Sequence, residues 1–565
     1  MKKARRLAKI SSETAAVAPV KSWNWWPWAA ALAALIVALE IYSPAMHGPF
    51  VLDDRALPYM TPNIEGAPLR AWIGIRPLLM FTFWLNYQDG RLDPFGYHLV
   101  NVLLHFLGSV VVALIAARLL TWVNVEGRKR DVLAVLAGAL FLVHPVQTES
   151  VAYVASRSEA LSVLFFYSGL AVFLYRGEES MGWLRALISV TLFGAAVATK
   201  EHTAVFPIVV VVTDYFWKRG GLRKNALFYV LVAICGTAGA VMVYRVLGST
   251  PTAGFHTGEF TPLTYFYTQC RVVWTYVRLF LLPYGQNIDP DVPISHTILE
   301  HGAIFGLLAM AGVLVAAWVY RKRWPLASFG AILFVILLAP TSSFVPILDP
   351  EAERRLYLPF LGLTLIVLEA ARRLKLSQIV GAGAAVCLVF SVLSYQRNEL
   401  WGDPVALWAD AAAKSPHKMR PHFQLAYEDY AAGNCAQSAV NYEAASKLTP
   451  PRFDLLMDWA LSLDCAGDEH RALDVLHNAE HYDNGAHVHA TLGMVYAKLG
   501  QNDEALQELT IAERADPAFE TTYVYRGNIA EAAGDRAGAA REYQRALHIN
   551  PQNPMAREAF ARVAR

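Results

Sequence analysis

Apolar runs dominate the chain from residue 26 to 396 and then stop. Eleven of them, at 26–43, 98–121, 132–146, 155–175, 184–199, 203–217, 226–247, 298–320, 327–347, 356–373 and 378–396, read as helices that cross a bilayer, whose apolar core takes about 20 such residues. Those between 132 and 217 are short and close-set. Two further stretches are apolar on one side only. Segment 263–283 carries Arg271, Arg278 and several tyrosines; segment 76–90 runs from Arg76-Pro77-Leu78 through Trp84-Leu85-Asn86-Tyr87 to Asp89-Gly90. Aromatic and arginine side chains suit the headgroup zone, so both segments are expected to be interfacial or re-entrant on the outer side.

From about residue 404 the pattern repeats. Gly433, Gly467, Gly500 and Gly534 are spaced 34, 33 and 34; Pro416, Pro450, Asn484, Pro517 and Pro551 are spaced 34, 34, 33 and 34. Small and large residues recur between them: Leu492-Gly493, Tyr496, Ala505, Ala512 and Pro517, then Gly527, Ala539, Tyr543, Ala546 and Pro551. This is the tetratricopeptide pattern of about 34 residues, a helix hairpin whose crossing needs small side chains. It predicts about three full repeats, a half repeat at 404–416 and a C-terminal cap at 554–565. Such stacks form concave grooves for peptides; a spacer or oligomerisation arm is the plainer alternative. Cys435 and Cys465 fall at inter-helix turns of neighbouring repeats, on one edge, as a disulfide or as two buried thiols.

Composition agrees with a divided chain. It is 55% hydrophobic and 17% charged, against roughly 45–50% and 25% for a soluble domain. The expected fold class is therefore all-α: a basic N-terminus at 1–25, a polytopic transmembrane domain at 26–396 and a soluble α-solenoid at 397–565. The head Lys2-Lys3-Ala4-Arg5-Arg6 lies too far from the first apolar run for a signal peptide, whose apolar core is short and ends at a cleavage site. A retained first span puts the N-terminus in the cytoplasm. Arg128-Lys129-Arg130, Arg176, Lys218-Arg219 with Arg223-Lys224, Arg321-Lys322-Arg323, and Arg372-Arg373 with Lys375 then share the cytoplasmic side, as the positive-inside rule expects. The repeats lie outside, together with Asp53-Asp54, the turn at His144 to Glu149, Lys200-Glu201-His202 and Glu351 to Arg355. A net charge of +2 gives no reason to expect nucleic acid as a partner, and the five cysteines have no metal-ligand spacing.

The polar clusters on the outer face carry the candidate chemistry. Charges beside a bilayer cost several kcal/mol unless paired or wet. Asp53 and Asp54 follow Phe50-Val51-Leu52, and a carboxylate beside low-dielectric walls gains proton affinity, which suits a general base for a hydroxyl. Asp54 is the first choice and Asp53 the second; an ordinary loop turn is the alternative. Arg354, Arg355 and Lys200 are the expected phosphate grips, Arg by its fork and Lys as a point charge, with Arg76 and Arg157 as further cations. Arg354-Arg355 would otherwise be an anchor paired to Glu351 and Glu353. His98, His144, Glu149, Glu201, His202 and Tyr357 make a supporting polar set. Their spacing carries no zinc signature, and packing histidines are the plainer reading. There is no glycine-rich phosphate loop, nucleophile elbow or zinc-protease motif. No required cofactor is expected, a divalent metal being the alternative.

The chain resembles the transmembrane and tetratricopeptide-repeat (TMTC-like) protein O-mannosyltransferases and their bacterial relatives, within the GT-C superfamily of polyprenyl-phosphate-dependent glycosyltransferases. The residues that carry the resemblance are Phe50 to Asp54, Arg76-Pro77-Leu78, Trp84 to Tyr87, the run from Leu92 through Asp93-Pro94-Phe95-Gly96-Tyr97-His98 to His105, His144 to Ala152, Ser156-Arg157-Ser158-Glu159, Lys200-Glu201, and Glu353-Arg354-Arg355-Leu356-Tyr357-Leu358-Pro359. The resemblance implies a GT-C fold in a bacterial inner membrane, with the repeats periplasmic. It implies an acidic base in the first outer loop and inverting transfer of one sugar from a polyprenyl-phosphate or pyrophosphate carrier to Ser/Thr of an exported protein held in the repeat groove. Two other readings stand beside it: transfer to a lipid or polysaccharide, and a non-enzymatic, membrane-anchored repeat scaffold. A bare scaffold needs one anchor rather than eleven spans.

Overall fold

The computed structural model describes residues 26–61, 64–176, 180–218, 224–249, 252–255, 258 and 260–564. The basic N-terminus, Arg219 and Arg223 lie outside them. The described residues form helices throughout, with one isolated β-bridge, Ala253 to Ile347.

A helix stands at each of the eleven apolar runs. Six are long and apolar enough to cross a membrane: Trp26–Ala45, Pro94–Trp122, Val154–Leu174, Ala226–Gly248, Glu300–Val319 and Leu376–Gly402. Gly127–Val143 and Pro145–Ala152, bent by 52°, would count as a seventh, while Trp183–Val197, Pro325–Leu338 and Phe360–Ala371 are shorter apolar helices. Length and composition therefore support a multi-pass membrane protein without fixing eleven crossings. Pro145 and Pro207 explain part of the shortfall: a proline cannot continue the helix that precedes it. Pro262–Leu281 is a full helix of 20 residues, tied to 350–352 by Gln269 Nε2 donating to Pro350 O at 2.7 Å and by Ala352 N–H donating to Tyr276 Oη at 3.2 Å.

The helix Pro94–Trp122 is the centre of the membrane region and packs on Gly127–Val143, Arg157–Leu174 and Trp26–Tyr42. Small residues let helices approach where lipid leaves no hydrophobic drive between them. The crossing of Pro325–Leu338 with Phe360–Ala371 shows this: a Cβ on Gly330 would lie 2.4 Å from Gly362 O, and one on Gly362 would lie 2.6 Å from Gly330 O. Polar side chains fasten other crossings. Ser394 Oγ donates to Val143 O at 2.8 Å, and Asn398 Nδ2 to Ile41 O at 2.9 Å.

The last membrane helix continues past the expected boundary to Gly402, and the repeat region begins one residue later. Asp403 caps it by accepting from Val405 N and Ala406 N, with Pro404 at the first helical position, a favoured start for a helix. After the half repeat Pro404–Lys414 come four helix hairpins: Met419–Ala431 with Cys435–Ser446, Phe453–Cys465 with Glu469–Ala479, Ala486–Lys498 with Asn502–Ala515, and Glu520–Ala532 with Arg536–Ile549. Pro554–Val563 closes the stack. The three repeats expected are thus four. Each hairpin turn carries one of the four spaced glycines, all at φ between +77° and +83°, a conformation glycine adopts without a Cβ penalty.

Cys435 and Cys465 are joined, with Cα atoms 5.6 Å apart and a sequence separation of 30, so the open choice between thiols and a disulfide resolves to the disulfide. Closing a loop of about 30 residues stabilises by about 3–4 kcal/mol on the chain-entropy account. Thermal unfolding of the full chain with and without reductant should show a lower melting step in the reduced sample, and Cys435→Ser should reproduce the shift. Identical curves would mean that the bond contributes nothing.

Candidate functional site

The loop after the first helix forms a 3₁₀ turn at Leu52–Ala56, and its two carboxylates turn opposite ways. Asp54 is 1% exposed; its Oδ2 accepts from Val51 N at 3.1 Å and its Oδ1 from Ala155 N at 2.6 Å. Asp53 is exposed, and its backbone N–H donates to Tyr153 Oη at 2.9 Å. Among the described residues its carboxylate has no hydrogen-bond partner. Leu52 stands at φ +48°, a left-handed conformation that costs a residue with a branched side chain about 1–3 kcal/mol. Burial of Val51 and Leu52 against Tyr153, Trp401 and Trp408 accompanies it. Burial also pushes Asp54 up to about 8, against the pull of the Val51 and Ala155 N–H groups. The raised proton affinity expected of a base is therefore present at Asp54, but its oxygens are enclosed and occupied. Of the two carboxylates, Asp53 is the exposed one.

Tyr153 connects this loop to a cavity of about 640 Å³. Arg354, which lines the cavity, lies over the Tyr153 ring at 6.0 Å to the centroid. One end of the cavity is polar: Arg76, Glu159, Lys200, Glu201, His202, Arg354 and Arg355. The other is hydrocarbon, from Val205, Ile208, Val243, Leu247, Ile336 and Ala339.

The polar end is an array of ion pairs. Arg76 grips Glu201 with both ends of its fork, at 2.6 and 3.1 Å. Lys200 Nζ meets Glu159 Oε1 at 2.7 Å and Ser158 Oγ at 3.2 Å, and His202 Nε2 lies 3.4 Å from Glu159 Oε2. Arg354 pairs with Glu149, which also accepts from the Arg354 N–H at 3.0 Å. Arg355 differs. Its guanidinium donates to the carbonyls of Asp349 and Pro350 and to Tyr265 Oη, all neutral acceptors. Glu353 accepts from Gln286 Nε2 and Asn287 N, both at 2.6 Å, and not from either arginine. Glu149, Glu159 and Glu201 thus pair with Arg354, Lys200 and Arg76, while Arg355 interacts with the Asp349 and Glu351 carboxylates only at longer range.

Titration follows from these contacts. Burial alone would raise Glu201, but Arg76 and Lys200 outweigh it and hold the carboxyl down at about 2. Burial, and after Glu159's opposing pull the neighbouring Arg76 and Arg354, lower Lys200. Burial keeps His202 below its ordinary value. Arg354 is held above the usual guanidinium range: burial works against this, and Glu149 prevails.

Four expected site residues lie elsewhere. Arg157 is 0% exposed and donates to Asn101 Oδ1 at 2.8 Å and Tyr97 O at 2.9 Å, with its guanidinium over the Phe83 ring. It fastens helices and does not line the cavity. His98 bonds Gly48 O at 3.1 Å and His144 bonds Phe280 O at 2.9 Å. Tyr357 is buried against His105 Nδ1 at 2.9 Å. A cation or imidazole at a span end reads the same in sequence whether it faces inward or into a cavity. Conversely, Glu159 and Tyr153 belong to the site and were not singled out. Glu159 had a signal: it ends the Ser-Arg-Ser-Glu run and faces Lys200.

Fold and site define an all-helical, multi-pass membrane protein carrying a helix-hairpin solenoid. Its curated relatives are protein O-mannosyl-transferases of the TMTC group. It is 24% identical over 453 residues to protein O-mannosyl-transferase F38B6.6 of Caenorhabditis elegans, a match covering 74% of this chain and 62% of that one. To TMTC3 of Mus musculus it is 26% identical over 464 residues, covering 70% and 47%. To Tmtc1 of Drosophila melanogaster it is 33% identical over 186 residues, covering 29% and 20%. The chain thus spans less than two thirds of the length of these relatives. No protein-family profile matches it. Among solved structures, YrrB, a TPR protein with an unusual peptide-binding site, aligns at 20% identity and TM-score 0.24 over 30% of this chain and 88% of that one. The APC/C hetero-tetramer Cut9-Hcn1 aligns at 14% and 0.26 over 88% and 98%. Scores this low add nothing to the hairpin geometry described above.

The Arg76–Glu201 pair sets a pH signature. Glu201's contribution to stability is present above its ordinary value near 4.5 and lost as pH falls from there toward about 2. The stability gap between wild type and Glu201→Gln should therefore shrink by more than half from about pH 6 to about pH 3, read by chemical unfolding in detergent. A gap of constant size would mean that the carboxylate is not held by the pair.

Proposed function

We propose that the protein transfers a sugar, mannose by analogy with its relatives, from a polyprenyl-phosphate carrier to Ser or Thr hydroxyls of exported proteins. The observation that carries the reading is the cavity, whose charged head and hydrocarbon wall suit a phosphate joined to an isoprenoid chain. The relatives' names supply the reaction class.

In this reading Arg76, Lys200, Arg354 and Arg355 hold the lipid phosphate, and the anomeric carbon sits toward Tyr153 and Asp53. The Asp53 carboxylate takes the proton of the acceptor hydroxyl. The acceptor oxygen bonds to the anomeric carbon as the bond from that carbon to the phosphate oxygen breaks. The electron pair leaves on the lipid phosphate, whose growing charge the cations stabilise without rearranging. Glu159 and Glu201 line the cavity but are each bound to a cation; with Asp53 acting as the base, neither is free to form a covalent sugar intermediate, which favours a single inverting displacement. Donor groove and base would face the outer side of a bacterial inner membrane, where the repeats present the acceptor: Arg55, next to Asp54, pairs with Glu428 of the first hairpin at 2.7 Å. A protein that served only as an anchored scaffold would have no use for a charged, lipid-walled cavity.

The two aspartates separate under mutation. With a polyprenyl-phosphate sugar and exported-protein acceptors, Asp53→Asn should lower turnover by about 10²–10⁴-fold and leave stability within about 0.5 kcal/mol. Asp54→Asn should destabilise by about 1–3 kcal/mol, because an amide cannot accept both N–H bonds. Full turnover in Asp53→Asn would remove the assigned base, and transfer to a lipid or glycan in place of protein would move the acceptor class.

A further inference from the structure

The structure assigns a site for a zinc-class divalent ion to the solenoid, formed by Glu480, His489 and Glu508 and remote from the membrane cavity. Glu480 follows the second hairpin, His489 lies in the first helix of the third and Glu508 in its second helix. One donor atom from each lies within 4.8 Å of the other two. His489 is 4% exposed. Its Nε2 faces Asn484 Oδ1, and its Nδ1 lies 2.6 Å from Glu508 Oε2 and 3.9 Å from Glu480 Oε1.

Hydrogen-bond chemistry makes this arrangement unusual. A neutral imidazole donates through one nitrogen only. With Nε2–H given to Asn484, the Nδ1 lone pair points at two carboxylates, and a cation between them relieves the repulsion. No lysine or arginine does so among the described residues. Four other carboxylates of the solenoid do have one: Glu513 has Arg526 and Arg545, Glu531 has Arg562, Glu443 has Lys447 and Arg471, and Asp464 has Lys498. An outer layer is also in place. His477 Nδ1 lies 2.7 Å from Glu480 Oε2, and its Nε2 lies 3.0 Å from Tyr496 Oη. Partners of this kind orient metal-binding carboxylates.

The geometry needs little adjustment. A tetrahedral ion with ligand bonds of about 2.0–2.2 Å keeps its donors about 3.4 Å apart, so the 2.6 Å contact opens and the 3.9 Å contact closes by less than about 1 Å each. The half-buried carboxylates leave the fourth position to water. One nitrogen and two carboxylate donors suit Zn²⁺, whereas Mg²⁺ and Ca²⁺ take six or more oxygens. The ion would bind the second hairpin to the third and stiffen the solenoid between them.

The test is independent of any transfer activity. Full-length protein in detergent, stripped with chelator and re-equilibrated with Zn²⁺, should retain one more bound equivalent by mass spectrometry of metals than Glu508→Gln or His489→Ala. Its melting temperature should rise with Zn²⁺ and not with Mg²⁺. Glu508→Gln alters a half-exposed side chain, so its fold can be checked by circular dichroism before loading. Equal zinc in wild type and Glu508→Gln, or a melting temperature indifferent to zinc, would overturn the assignment and leave the cluster as an imidazolium ion pair only.

Discussion

The carboxylate of Asp54 holds one face of the membrane region together. By accepting from Val51 N and Ala155 N it joins the loop after the first helix to the turn that opens the helix Arg157–Leu174. The same turn places Tyr153, whose hydroxyl accepts from Asp53 N and whose ring lies under Arg354. Position and exposure of Asp53 are thus consequences of a neighbour that is itself out of reach. Burying a polar group without partners costs roughly 2–7 kcal/mol, so Asp54 is tolerable there only while both backbone donors stay in place.

A second set of contacts fixes the solenoid to this face. Arg420 bridges Asp289 and Asp349, Lys418 pairs with Asp289, and Asn287 Nδ2 donates to Ser415 Oγ at 2.8 Å. Arg55 reaches Glu428 and lies over the Tyr427 ring, 4.8 Å to its centroid. Trp401 and Trp408 pack beneath, in one apolar cluster with Val51 and Tyr153. Exposed ion pairs contribute little alone, but Asp289 and Glu428 are mostly buried here, and the tryptophan cluster excludes water beside them. The loop holding Asp53 and the first repeat therefore share one packed core.

The large features of this architecture were legible because they are periodic. Apolar runs and the glycine and proline spacing located the long apolar helices of the membrane region and the solenoid. What periodicity could not supply was the direction of single side chains. Asp53 and Asp54 are adjacent, yet Leu52 at positive φ turns one outward and one inward, and no propensity in Phe-Val-Leu-Asp-Asp announces that. Arg157 and Arg354 both stand beside helix starts. The first meets Asn101 and Tyr97 O, the second meets Glu149, and only packing between distant helices separates a fastener from a cavity wall. The hydrocarbon wall was invisible for the same reason: Ile208, Val243 and Ile336 come from three helices and are ordinary apolar residues in each. The number of crossings is left open for another reason: Pro145 follows the end of Gly127–Val143 and Pro207 opens Phe206–Trp217, which leaves both helices short.

The pairing pattern at the cavity head bears on what it can hold. Three cations arrive with a carboxylate each, so a bound anion gains little from them unless it displaces or shares a partner. Arg355 is different, because its hydrogen bonds go to carbonyl and hydroxyl oxygens and the carboxylates of Asp349 and Glu351 act on it only at longer range. Moving a charge of either sign into a low-dielectric site is unfavourable without a counter-charge, so of the four cations Arg355 is the one least closely matched. The residues that set this balance and the hydrocarbon residues that line the same cavity share no stretch of sequence.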